Sequence, residues 1–421
     1  MRALLSRSSV RGSVSAPPSK SYTIRGLVCA ALAAGKSQIA NPLGSDDTVA
    51  ATRVLKQVGT GIRQGKTAWT VNGGASHAPE ADLFCGESAL TLRTMMGLAA
   101  VIPGVSHLTA GPSLSKRPLQ PFIEALRQLG VDCDSNGGTP PVTVRGGKLR
   151  GGETRLPGDI SSQYVSALLM VAPFADKSVT IRLTTPLESR PYVMMTMDAM
   201  QWFGITVAFN ETMDEFQVMP QKYEPSRFHV EGDWSSASYP LALGALAGEV
   251  EVVDLPTETM QGDRMVMSFL QEMGAKVSAS RGAVNVARSR LKAIKADLTD
   301  CTDLLPTVAV LAAAAEGTSV LSGIARARIK ESDRVAAVAE GLARMGIRVT
   351  EGKDRITITG GKPAGAVIDS HNDHRLAMAF SLLGAVAGDT VIEPAECVSK
   401  TYPEFWDVIR SLGVGVTLHD Q

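Results

Sequence analysis

Six cations lie next to predicted helix starts in this chain, where a positive charge is locally unfavourable. The first turn of an α-helix exposes about four unpaired N–H groups and roughly half a positive charge, so it attracts phosphate and carboxylate groups. A lysine or arginine is stable there when an anion lies between it and the helix. The pattern therefore predicts that these cations bind anionic ligands in common. The six cations are Lys20, Arg117, Lys330, Arg334, Arg375 and Lys400.

Acidic residues near these cations could move protons. Glu331 lies between Lys330 and Arg334, and Asp303 marks another predicted helix start. An acid and a base placed on opposite sides of a reacting bond each contribute about 10² to 10⁴ in rate. The residues alone leave two interpretations of Glu331, a proton donor or an i,i+3 salt bridge with Arg334. His374 is open between a capping or core residue and a catalytic group.

The elements that would position these groups repeat six times. In a first series, the predicted helix ends in small residues followed by Gly or Asp, and a strand-like run comes next. In a second series, the predicted helix ends in residues rich in Leu and Met followed by Gly, again before a strand-like run. Successive members of each series are 67 to 74 residues apart, and the two series are offset by 24 to 29 residues. This period indicates one supersecondary unit copied six times. The first series falls at Gly35, Gly104, Asp176, Gly248, Gly317 and Gly388, and the second at Gly59, Gly130, Gly204, Gly274, Gly346 and Gly413.

Each unit is predicted to contain helix, strand, loop, helix and strand, with a short strand leading into the next unit. First-series helices, such as 305–315, are apolar on all sides and should be buried. Second-series helices, such as 335–345, have a charged side and should lie on the outside.

Units one to three and four to six predict two similar halves. The junctions fall where Pro, Gly and polar residues cluster. We predict one half over residues 15–229 and the other over 1–14 plus 230–421. A two-stranded hinge should join them, and its closure should assemble one site from both halves.

Composition limits the class of protein. A chain of 421 residues with 44% hydrophobic content is long enough for two large domains with cores. The formal net charge is zero, which argues against nucleic acid or an anionic membrane as a partner. No apolar run approaches the roughly 18 residues of a membrane span. Five scattered cysteines, without C-x-x-C or metal-ligand spacing, predict a reducing compartment and no metal site.

The N-terminal segment faintly resembles a transit peptide, because the first 45 residues contain no acid. The repeat requires Lys20 at the first helix start, which leaves too little chain upstream for such a peptide. Residues 1–15 are therefore predicted to form a strand of the mature protein, and the enzyme is predicted to be cytoplasmic.

A set of motifs in fixed order closely resembles the enolpyruvylshikimate-3-phosphate synthases. The resemblance covers essentially the whole chain. The motifs are Pro17-Pro18-Ser19-Lys20-Ser21-Tyr22-Thr23-Ile24-Arg25, Ser161-Ser162-Gln163, Ser189-Arg190-Pro191-Tyr192, Asp303-Leu304-Leu305-Pro306, Arg328-Ile329-Lys330-Glu331-Ser332-Asp333-Arg334, Asn372-Asp373-His374-Arg375-Leu376-Ala377-Met378 and Ser399-Lys400-Thr401-Tyr402-Pro403.

The resemblance implies a fold and an activity. The fold is α/β, a two-domain inside-out α/β barrel built from six repeated helix-strand units. The activity transfers the enolpyruvyl group of phosphoenolpyruvate to the 5-hydroxyl of shikimate 3-phosphate and releases phosphate, in the shikimate pathway of aromatic amino acid biosynthesis. No metal and no organic cofactor is implied. The expected partners are these two small-molecule substrates, with no nucleic acid and no membrane, and we expect a monomer.

The resemblance also implies which residues form the site. Shikimate 3-phosphate would be held by Lys20, Ser21, Arg25, Ser161, Ser162, Gln163, Ser189, Tyr192, Asp303 and Lys330. Phosphoenolpyruvate would be held by Lys20, Ala89, Arg117, Gln163, Arg334, Arg375 and Lys400. In the catalytic set of Lys20, Asp303 and Glu331, Glu331 would protonate the methylene carbon and Asp303 would act as the base. Two anionic substrates need such cations, with Arg as a planar fork and Lys as a movable point charge.

One segment departs from the family pattern. The chain has Gly86-Glu87-Ser88-Ala89 where the family usually has a Gly-Asn-x-Gly-Thr-type stretch. Family members use the Gly at the position of Ala89 to bring the backbone close to phosphoenolpyruvate. The methyl group of Ala89 and the carboxylate of Glu87 are expected to crowd that wall. Glyphosate occupies the same pocket in this family, so low sensitivity to it is expected.

Alternative functions predict other residues. The sister enolpyruvyl transferase, which acts on a UDP-linked amino sugar, has Lys-Asn near its N-terminus and a reactive Cys in the segment matching 109–118. This chain has Lys20-Ser21 and no Cys in that segment. A shikimate analogue as acceptor stays open. A non-catalytic sensor of phosphometabolites on the same scaffold would be expected to lack Asp303, Glu331 or Lys20, and all three are present.

Overall fold

The chain folds into two compact units, described here from a computed structural model that covers residues 1–420. The first unit is Pro18–Val230, and the second unit is Met1–Pro17 with Glu231–Gln421. Within residues 1–420, each unit contains six α-helices and three four-stranded sheets. The predicted α/β fold with six repeated helix-strand units is therefore confirmed.

Strands and helices are numbered along the chain. The N-terminal strands, which belong to the second unit, are β1 Arg2–Leu5 and β2 Val10–Ser15. The helices of the first unit are α1 Lys20–Leu32, α2 Asp46–Gln57, α3 Ala89–Val101, α4 Gln120–Gln128, α5 Ser162–Val171 and α6 Arg190–Trp202. Its strands are β3 Gly35–Ala40, β4 Gly61–Gln64, β5 Ala68–Gly73, β6 Leu83–Phe84, β7 Gly104–Thr109, β8 Asp132–Asn136, β9 Thr139–Gly146, β10 Gly152–Leu156, β11 Val179–Leu183, β12 Ala208–Phe209, β13 Glu215–Val218 and β14 Arg227–His229.

The second unit continues the same numbering. Its helices are α7 Trp234–Ala247, α8 Met265–Glu272, α9 Leu305–Ala313, α10 Arg334–Arg344, α11 His374–Ala387 and α12 Phe405–Ser411. Its remaining strands are β15 Gly248–Val253, β16 Lys276–Ser280, β17 Ala283–Ala287, β18 Lys295–Asp297, β19 Thr318–Ser322, β20 Arg348–Glu351, β21 Arg355–Thr359, β22 Val367–Asp369, β23 Thr390–Glu393 and β24 Val416–His419.

All six sheets have one topology. Counted from one edge of each sheet, the first two strands are parallel to each other. The second and third strands are antiparallel, and so are the third and fourth. The sheet β6-β7-β9-β8 is an example, and β18-β19-β21-β20 repeats it in the second unit. Parallel neighbours need a crossover connection, and in these two sheets a buried first-series helix supplies it.

Three strands complete sheets from distant parts of the chain. β14, at the end of the first unit, pairs in parallel with β3 near its beginning. β2 pairs in parallel with β15, and β1 lies between β23 and β24 with antiparallel pairing to both. The N-terminal segment therefore completes two sheets of the second unit.

The glycines that end the second-series helices all have left-handed backbone conformations, with φ between 77° and 103°. The next N–H then donates to the carbonyl five residues back, as Thr60 does to Leu55 at 3.1 Å and Ile347 to Leu342 at 3.0 Å. Glycine adopts this helix-ending conformation without a Cβ clash. The Gly series in the sequence therefore marks real helix ends.

The two helix series differ in burial as expected. Every residue of α7 and α9 is buried, whereas α12 buries only Phe405, Trp406 and Ile409. Each unit has its own hydrophobic core around its first-series helices. Among residues 1–420 there is no helix with both the length and the apolar character of a membrane span.

Candidate active site

One buried arginine organises the polar cluster of the second unit. Arg334 is the first residue of α10, and its side chain is 1% exposed. Its Nη1 donates to Asp303 Oδ1 at 2.8 Å, its Nη2 to Glu331 Oε2 at 2.6 Å, and its Nε to Asp373 Oδ2 at 2.8 Å. A single guanidinium therefore joins three carboxylates from different segments.

Three further cations complete this ion-pair network. Arg375 Nη2 lies 3.0 Å from Asp303 Oδ2, and Lys330 Nζ lies 3.5 Å from Asp303 Oδ1. Lys400 Nζ lies 3.3 Å from Glu331 Oε1. The structure thus brings together every residue of the second unit that the sequence predicted for the site, namely Asp303, Lys330, Glu331, Arg334, Arg375 and Lys400.

The placement of these cations corrects part of the sequence prediction. Lys20, Arg334 and Arg375 do lie in the first turn of an α-helix. Arg117, Lys330 and Lys400 lie instead at the ends of short 3₁₀ helices, which are Leu114–Lys116, Ala325–Ile329 and Glu396–Lys400. The carbonyl end of a helical turn accepts a cation more readily than the N–H end. Within the second unit, the anions beside the cations are carboxylates of the chain itself.

The carboxylates and cations shift each other's ionisation. Burial opposes the charge on Asp303, but Arg375, Lys330 and Arg334 attract it and hold the pKa of this carboxyl well below its ordinary value. Burial lowers the pKa of Lys330 to about 8, although Asp303 pulls it the other way. Asp303 is therefore ionised at neutral pH, and Lys330 can lose its proton at moderately alkaline pH.

A second layer of polar groups supports Arg375. Its Nη2 donates to Ser235 Oγ at 3.4 Å, and the Ser235 hydroxyl donates to the carboxylate of Asp263. Burial and the charge of Asp303 raise the pKa of Asp263 to about 6. Asp373 also accepts the backbone N–H of Arg375 at 3.0 Å and the hydroxyl of Ser332 at 3.1 Å.

His374 is a buried residue at the start of α11, with 1% exposure. Burial and the neighbouring charge of Arg375 hold the pKa of its imidazole well below the ordinary value. Neither ring nitrogen has a hydrogen-bond partner within residues 1–420. The side chain is therefore buried and neutral at neutral pH.

In the first unit, Lys20 pairs with an internal anion. It is the first residue of α1, after the N-cap Ser19, and its Nζ lies 3.1 Å from Asp47 Oδ2. The Lys20 side chain is 17% exposed and that of Asp47 is 4% exposed. Lys20 is therefore held by one buried carboxylate and keeps an accessible side.

Arg25 joins α1 to α6 from a buried position. Its Nε donates to Thr196 Oγ1 at 2.8 Å, its Nη1 to the Ser21 carbonyl at 3.1 Å, and its Nη2 to the Tyr192 carbonyl at 2.9 Å. Burial lowers the pKa of Arg25 to about 10. The guanidinium thus holds the backbone of two other predicted site residues, Ser21 and Tyr192.

The predicted serines lie at the starts of α5 and α6. Ser161 is the N-cap of α5, Ser162 is its first residue, and Gln163 Oε1 accepts Arg93 Nη1 at 2.6 Å. Ser189 is the N-cap of α6, where its φ of 54° is left-handed. Helix starts with hydroxyl groups and unpaired N–H groups suit a phosphate or a polyol.

The segment that departs from the family pattern lies at the start of α3. Ala89 is the first residue of this helix and is buried, with 8% exposure. Glu87 does not simply crowd the wall, as expected from the sequence: its carboxylate accepts the backbone N–H groups of Ser113 and Leu114. Arg117 follows in the same segment and is 6% exposed.

Sequence reasoning missed four supporting residues, Asp47, Arg93, Asp263 and Asp373. Asp373 lies in one of the motifs that carry the family resemblance, but it was not among the residues predicted for the site. Asp47, Arg93 and Asp263 were not predicted, because only the fold brings them to their partners.

Metal ligation has no candidate in the described part of the chain. Residues 1–420 contain no group of three or more His, Cys, Asp or Glu side chains placed to hold a metal ion.

Comparison with known proteins identifies the family. Residues 5–409 match the family profile of EPSP synthase (3-phosphoshikimate 1-carboxyvinyltransferase). The chain belongs to the EPSP synthase family. It is 49% identical over 415 residues to a 3-phosphoshikimate 1-carboxyvinyltransferase of Dehalococcoides mccartyi, with 98% of both chains covered. It is 41% identical to the protein of that name from Methanothermobacter thermautotrophicus, with 97% of both covered.

Solved structures agree with this assignment. The fold matches an EPSP synthase structure from Acinetobacter baumannii with a TM-score of 0.83. The sequence identity to that protein is 28%, and 99% of each chain is covered. Membership of the EPSP synthase family thus rests on sequence and on fold together.

Proposed function

We propose that this chain transfers the enolpyruvyl group of phosphoenolpyruvate to the 5-hydroxyl of shikimate 3-phosphate and releases phosphate. The observation that supports it most is the joining of Asp303 and Glu331 through Arg334. A reaction that adds an alcohol across a vinyl group needs a base for the alcohol and an acid for the methylene carbon. Two carboxylates held apart by one guanidinium meet that need.

The proposed reaction balances with these two groups alone. The 5-hydroxyl oxygen attacks C2 of phosphoenolpyruvate and forms a C–O bond, while Asp303 accepts the hydroxyl proton and Glu331 donates a proton to C3, which becomes a methyl group. That methyl group then returns a proton to the Glu331 carboxylate, the C=C bond forms again and the C–O bond to phosphate breaks. The phosphate leaves with the proton that Asp303 had accepted, so both carboxyl groups regain their starting states. No metal and no organic cofactor takes part in this proposal.

The ion pairs explain how substrates would prepare the two carboxylates. The phosphate and carboxylate groups of phosphoenolpyruvate would compete for Arg334, Arg375 and Lys400. Asp303 would then lose part of the attraction that holds its pKa low, which makes it a stronger base. Glu331 would be released from Arg334 and Lys400, and its protonated form would be favoured.

The remaining assignments follow the family resemblance and the exposure of each group. We propose that Lys20, Ser21, Arg25, Ser161, Ser162, Gln163, Ser189, Tyr192, Asp303 and Lys330 serve shikimate 3-phosphate. We propose that Lys20, Ala89, Arg117, Gln163, Arg334, Arg375 and Lys400 serve phosphoenolpyruvate. Arg25 would act by holding the backbone of Ser21 and Tyr192, since its donors already face protein oxygens.

Phosphate release tests the activity. The purified chain with phosphoenolpyruvate and shikimate 3-phosphate should release phosphate, and the same assay with a UDP-linked amino sugar as acceptor should not. Phosphate release with the UDP-linked amino sugar as acceptor, but not with shikimate 3-phosphate, would contradict the proposed acceptor.

Two lysine variants test the site in the same assay. Lys20→Met and Lys400→Met should each lose at least about a hundredfold in kcat/KM, because fixed cations facing an anionic transition state typically contribute this much or more. The unfolding temperature of Lys400→Met should stay close to that of the unmodified chain, because Glu331 keeps its contact with Arg334. Lys20→Met leaves the buried Asp47 carboxylate without this cation and should unfold at a somewhat lower temperature, so circular dichroism should confirm that the variant is folded at the assay temperature. Near-normal turnover in either variant would remove that lysine from the site.

Three further properties stay predictions. We propose a cytoplasmic monomer, and size-exclusion chromatography with light scattering tests the monomer. The predicted two-stranded hinge should close when shikimate 3-phosphate binds. Small-angle scattering that shows no compaction on adding this ligand would contradict the hinge.

A further inference from the structure

The carboxylate of Glu87 binds two consecutive backbone N–H groups in a neighbouring segment. Its Oε2 accepts the N–H of Leu114 at 2.8 Å, and its Oε1 accepts the N–H of Ser113 at 3.1 Å. Hydrogen bonds to an ionised carboxylate are stronger than those between neutral groups. Glu87 therefore fixes the start of the 3₁₀ helix Leu114–Lys116.

The contact is closely packed. Gly111 lies directly against the Glu87 side chain, and a Cβ atom at Gly111 would be 2.3 Å from Glu87 Oε1. The Gly111 N–H donates to the Gly86 carbonyl at 2.8 Å, and the Cys85 N–H donates to the Thr109 carbonyl at 2.9 Å. The segment before α3 and the segment after β7 are thus joined by side-chain and backbone bonds.

Both joined segments lead to residues of the proposed phosphoenolpyruvate site. Ala89 begins α3 two positions after Glu87, and Arg117 follows Leu114 by three positions. The backbone N–H of Arg117 donates to the Leu114 carbonyl at 3.1 Å, so the 3₁₀ turn that Glu87 holds also sets the direction of Arg117. On the far side, the Tyr164 hydroxyl donates to the Pro118 carbonyl.

We propose that Glu87 is a positioning residue for phosphoenolpyruvate, which fixes Arg117 relative to the start of α3. The proposal rests on the proposed role of Arg117 in binding that substrate. Only a carboxylate offers an acceptor oxygen to each of the two N–H groups, because an amide side chain presents one oxygen and one NH₂ donor. The departure from the family pattern at Glu87 is therefore a structural link between two parts of one binding site.

The test is Glu87→Gln, which keeps the size of the side chain and replaces one acceptor by a donor. We expect KM for phosphoenolpyruvate to rise roughly ten- to a hundredfold, because a small misplacement of a binding group has effects of this order. KM for shikimate 3-phosphate should stay within about twofold, because Arg117 is assigned to phosphoenolpyruvate alone. Hydrogen exchange of the 110–118 segment should become faster in the folded protein.

A double-mutant cycle shows whether the effect passes through Arg117. In an Arg117→Met background, Glu87→Gln should add no further loss, since residues that act through one another are not additive. Glu124→Gln is the matched control, because Glu124 is an exposed residue of α4 whose carboxylate accepts the side-chain amide N–H of Gln120 at 2.9 Å. Glu124→Gln should leave KM unchanged for both phosphoenolpyruvate and shikimate 3-phosphate.

The outcomes separate this proposal from the role of Arg117. If Arg117→Met leaves KM for phosphoenolpyruvate unchanged, the assigned role of Arg117 fails. If Arg117→Met raises that KM but Glu87→Gln is silent or additive, the positioning role of Glu87 is overturned. A raised KM with unchanged exchange of the 110–118 segment would also overturn it, because Glu87 would then act on the ligand directly.

Discussion

Each unit holds one arginine of the proposed site that is only 1% exposed, and these two arginines have opposite kinds of partner. Arg25, in the first unit, donates to one hydroxyl and two backbone carbonyls, and burial lowers its pKa to about 10. Arg334, in the second unit, donates to three carboxylates. Burial opposes its charge as well, but Asp373, Glu331 and Asp303 attract it and raise its pKa above the ordinary value.

The difference separates a rigid support from an exchangeable network. Neutral oxygens around Arg25 gain little from any competing anion, so that arginine holds backbone in place. The carboxylates around Arg334 are chemically similar to the carboxylate and phosphate of a substrate. An incoming anion can replace one of them without leaving a cation bare, which avoids most of the cost of desolvating an isolated charge. We therefore expect binding and proton transfer to be coupled in the second unit.

The largest effect is expected from variants of the two carboxylates that would transfer protons. Asp303→Asn and Glu331→Gln should each lower kcat by about 10² to 10⁴, the usual contribution of a general acid or base. KM for either substrate should change far less, because the proton moves only in the transition state. Steady-state kinetics with both substrates measures the two parameters.

Glu340→Gln is the control, because Glu340 is an exposed acid of α10 paired with Arg344. It should leave kcat unchanged. If Glu331→Gln kept its kcat and lost only affinity for phosphoenolpyruvate, Glu331 would be a binding group, and the salt-bridge interpretation of its contact with Arg334 would be sufficient.

The two arginines themselves provide the next test. Arg334→Met leaves three carboxylates without their shared partner and should destabilise the second unit by about 3 to 5 kcal/mol. Arg25→Met leaves neutral oxygens unpaired and should cost about 1 to 3 kcal/mol in the first unit. Hydrogen exchange under native conditions, followed by mass spectrometry of peptides from each unit, measures the two losses separately. Equal losses would mean that the ionic network contributes no more than neutral hydrogen bonds do.

The contrast between the arginines also shows what sequence reasoning can reach. The six repeats were predictable because each one ends a helix with glycine, and only glycine adopts the left-handed end without strain. The six residues of the second-unit network were predictable from their motifs. The pair of Glu331 and Arg334 was one of two interpretations of their i,i+3 spacing, and it is present. The pairing of Arg334 with Asp303 and Asp373 was not predictable, since these two carboxylates lie in other segments that meet Arg334 only in the folded unit.

The errors have a physical cause as well. Arg117 precedes Pro118, and a residue before proline avoids the α conformation, so Arg117 adopts an extended backbone rather than a helical one. Glu87 was expected to crowd a wall because its side chain was considered alone. Its true partners are backbone N–H groups 26 and 27 residues away, which no local pattern marks.

A smaller effect is expected from the methyl group of Ala89. This residue is buried at the start of α3. One additional methyl in a packed pocket costs on the order of 1 to 3 kcal/mol, or roughly ten- to two-hundredfold in affinity. We therefore expect weak inhibition by glyphosate, and stronger inhibition of Ala89→Gly with a smaller change in KM for phosphoenolpyruvate.

Ala99→Gly, later in the same helix, controls for the roughly 1 kcal/mol by which glycine weakens a helix. It should leave glyphosate inhibition unchanged. Inhibition of the unmodified enzyme at micromolar glyphosate would mean that the backbone around Ala89 absorbs the methyl group.

The smallest expected effect concerns pH and extends the comparison to Lys330. Burial lowers the pKa of Lys330 to about 8, against the attraction of Asp303 and with the repulsion of Arg326 and Arg334. Only the protonated form attracts an anion, and its fraction falls as pH rises through 8. The value of kcat/KM for shikimate 3-phosphate should therefore fall by up to about tenfold per pH unit above pH 8.

This fall is the alkaline limb of the pH profile. Because kcat/KM reports ionisations of the free enzyme, the corresponding limb of kcat should lie at higher pH, since the bound phosphate keeps Lys330 charged. Lys330→Arg should remove the limb, since arginine stays protonated throughout this range. A limb that persists unchanged in Lys330→Arg would assign it to another group and leave Lys330 as a partner of Asp303 alone.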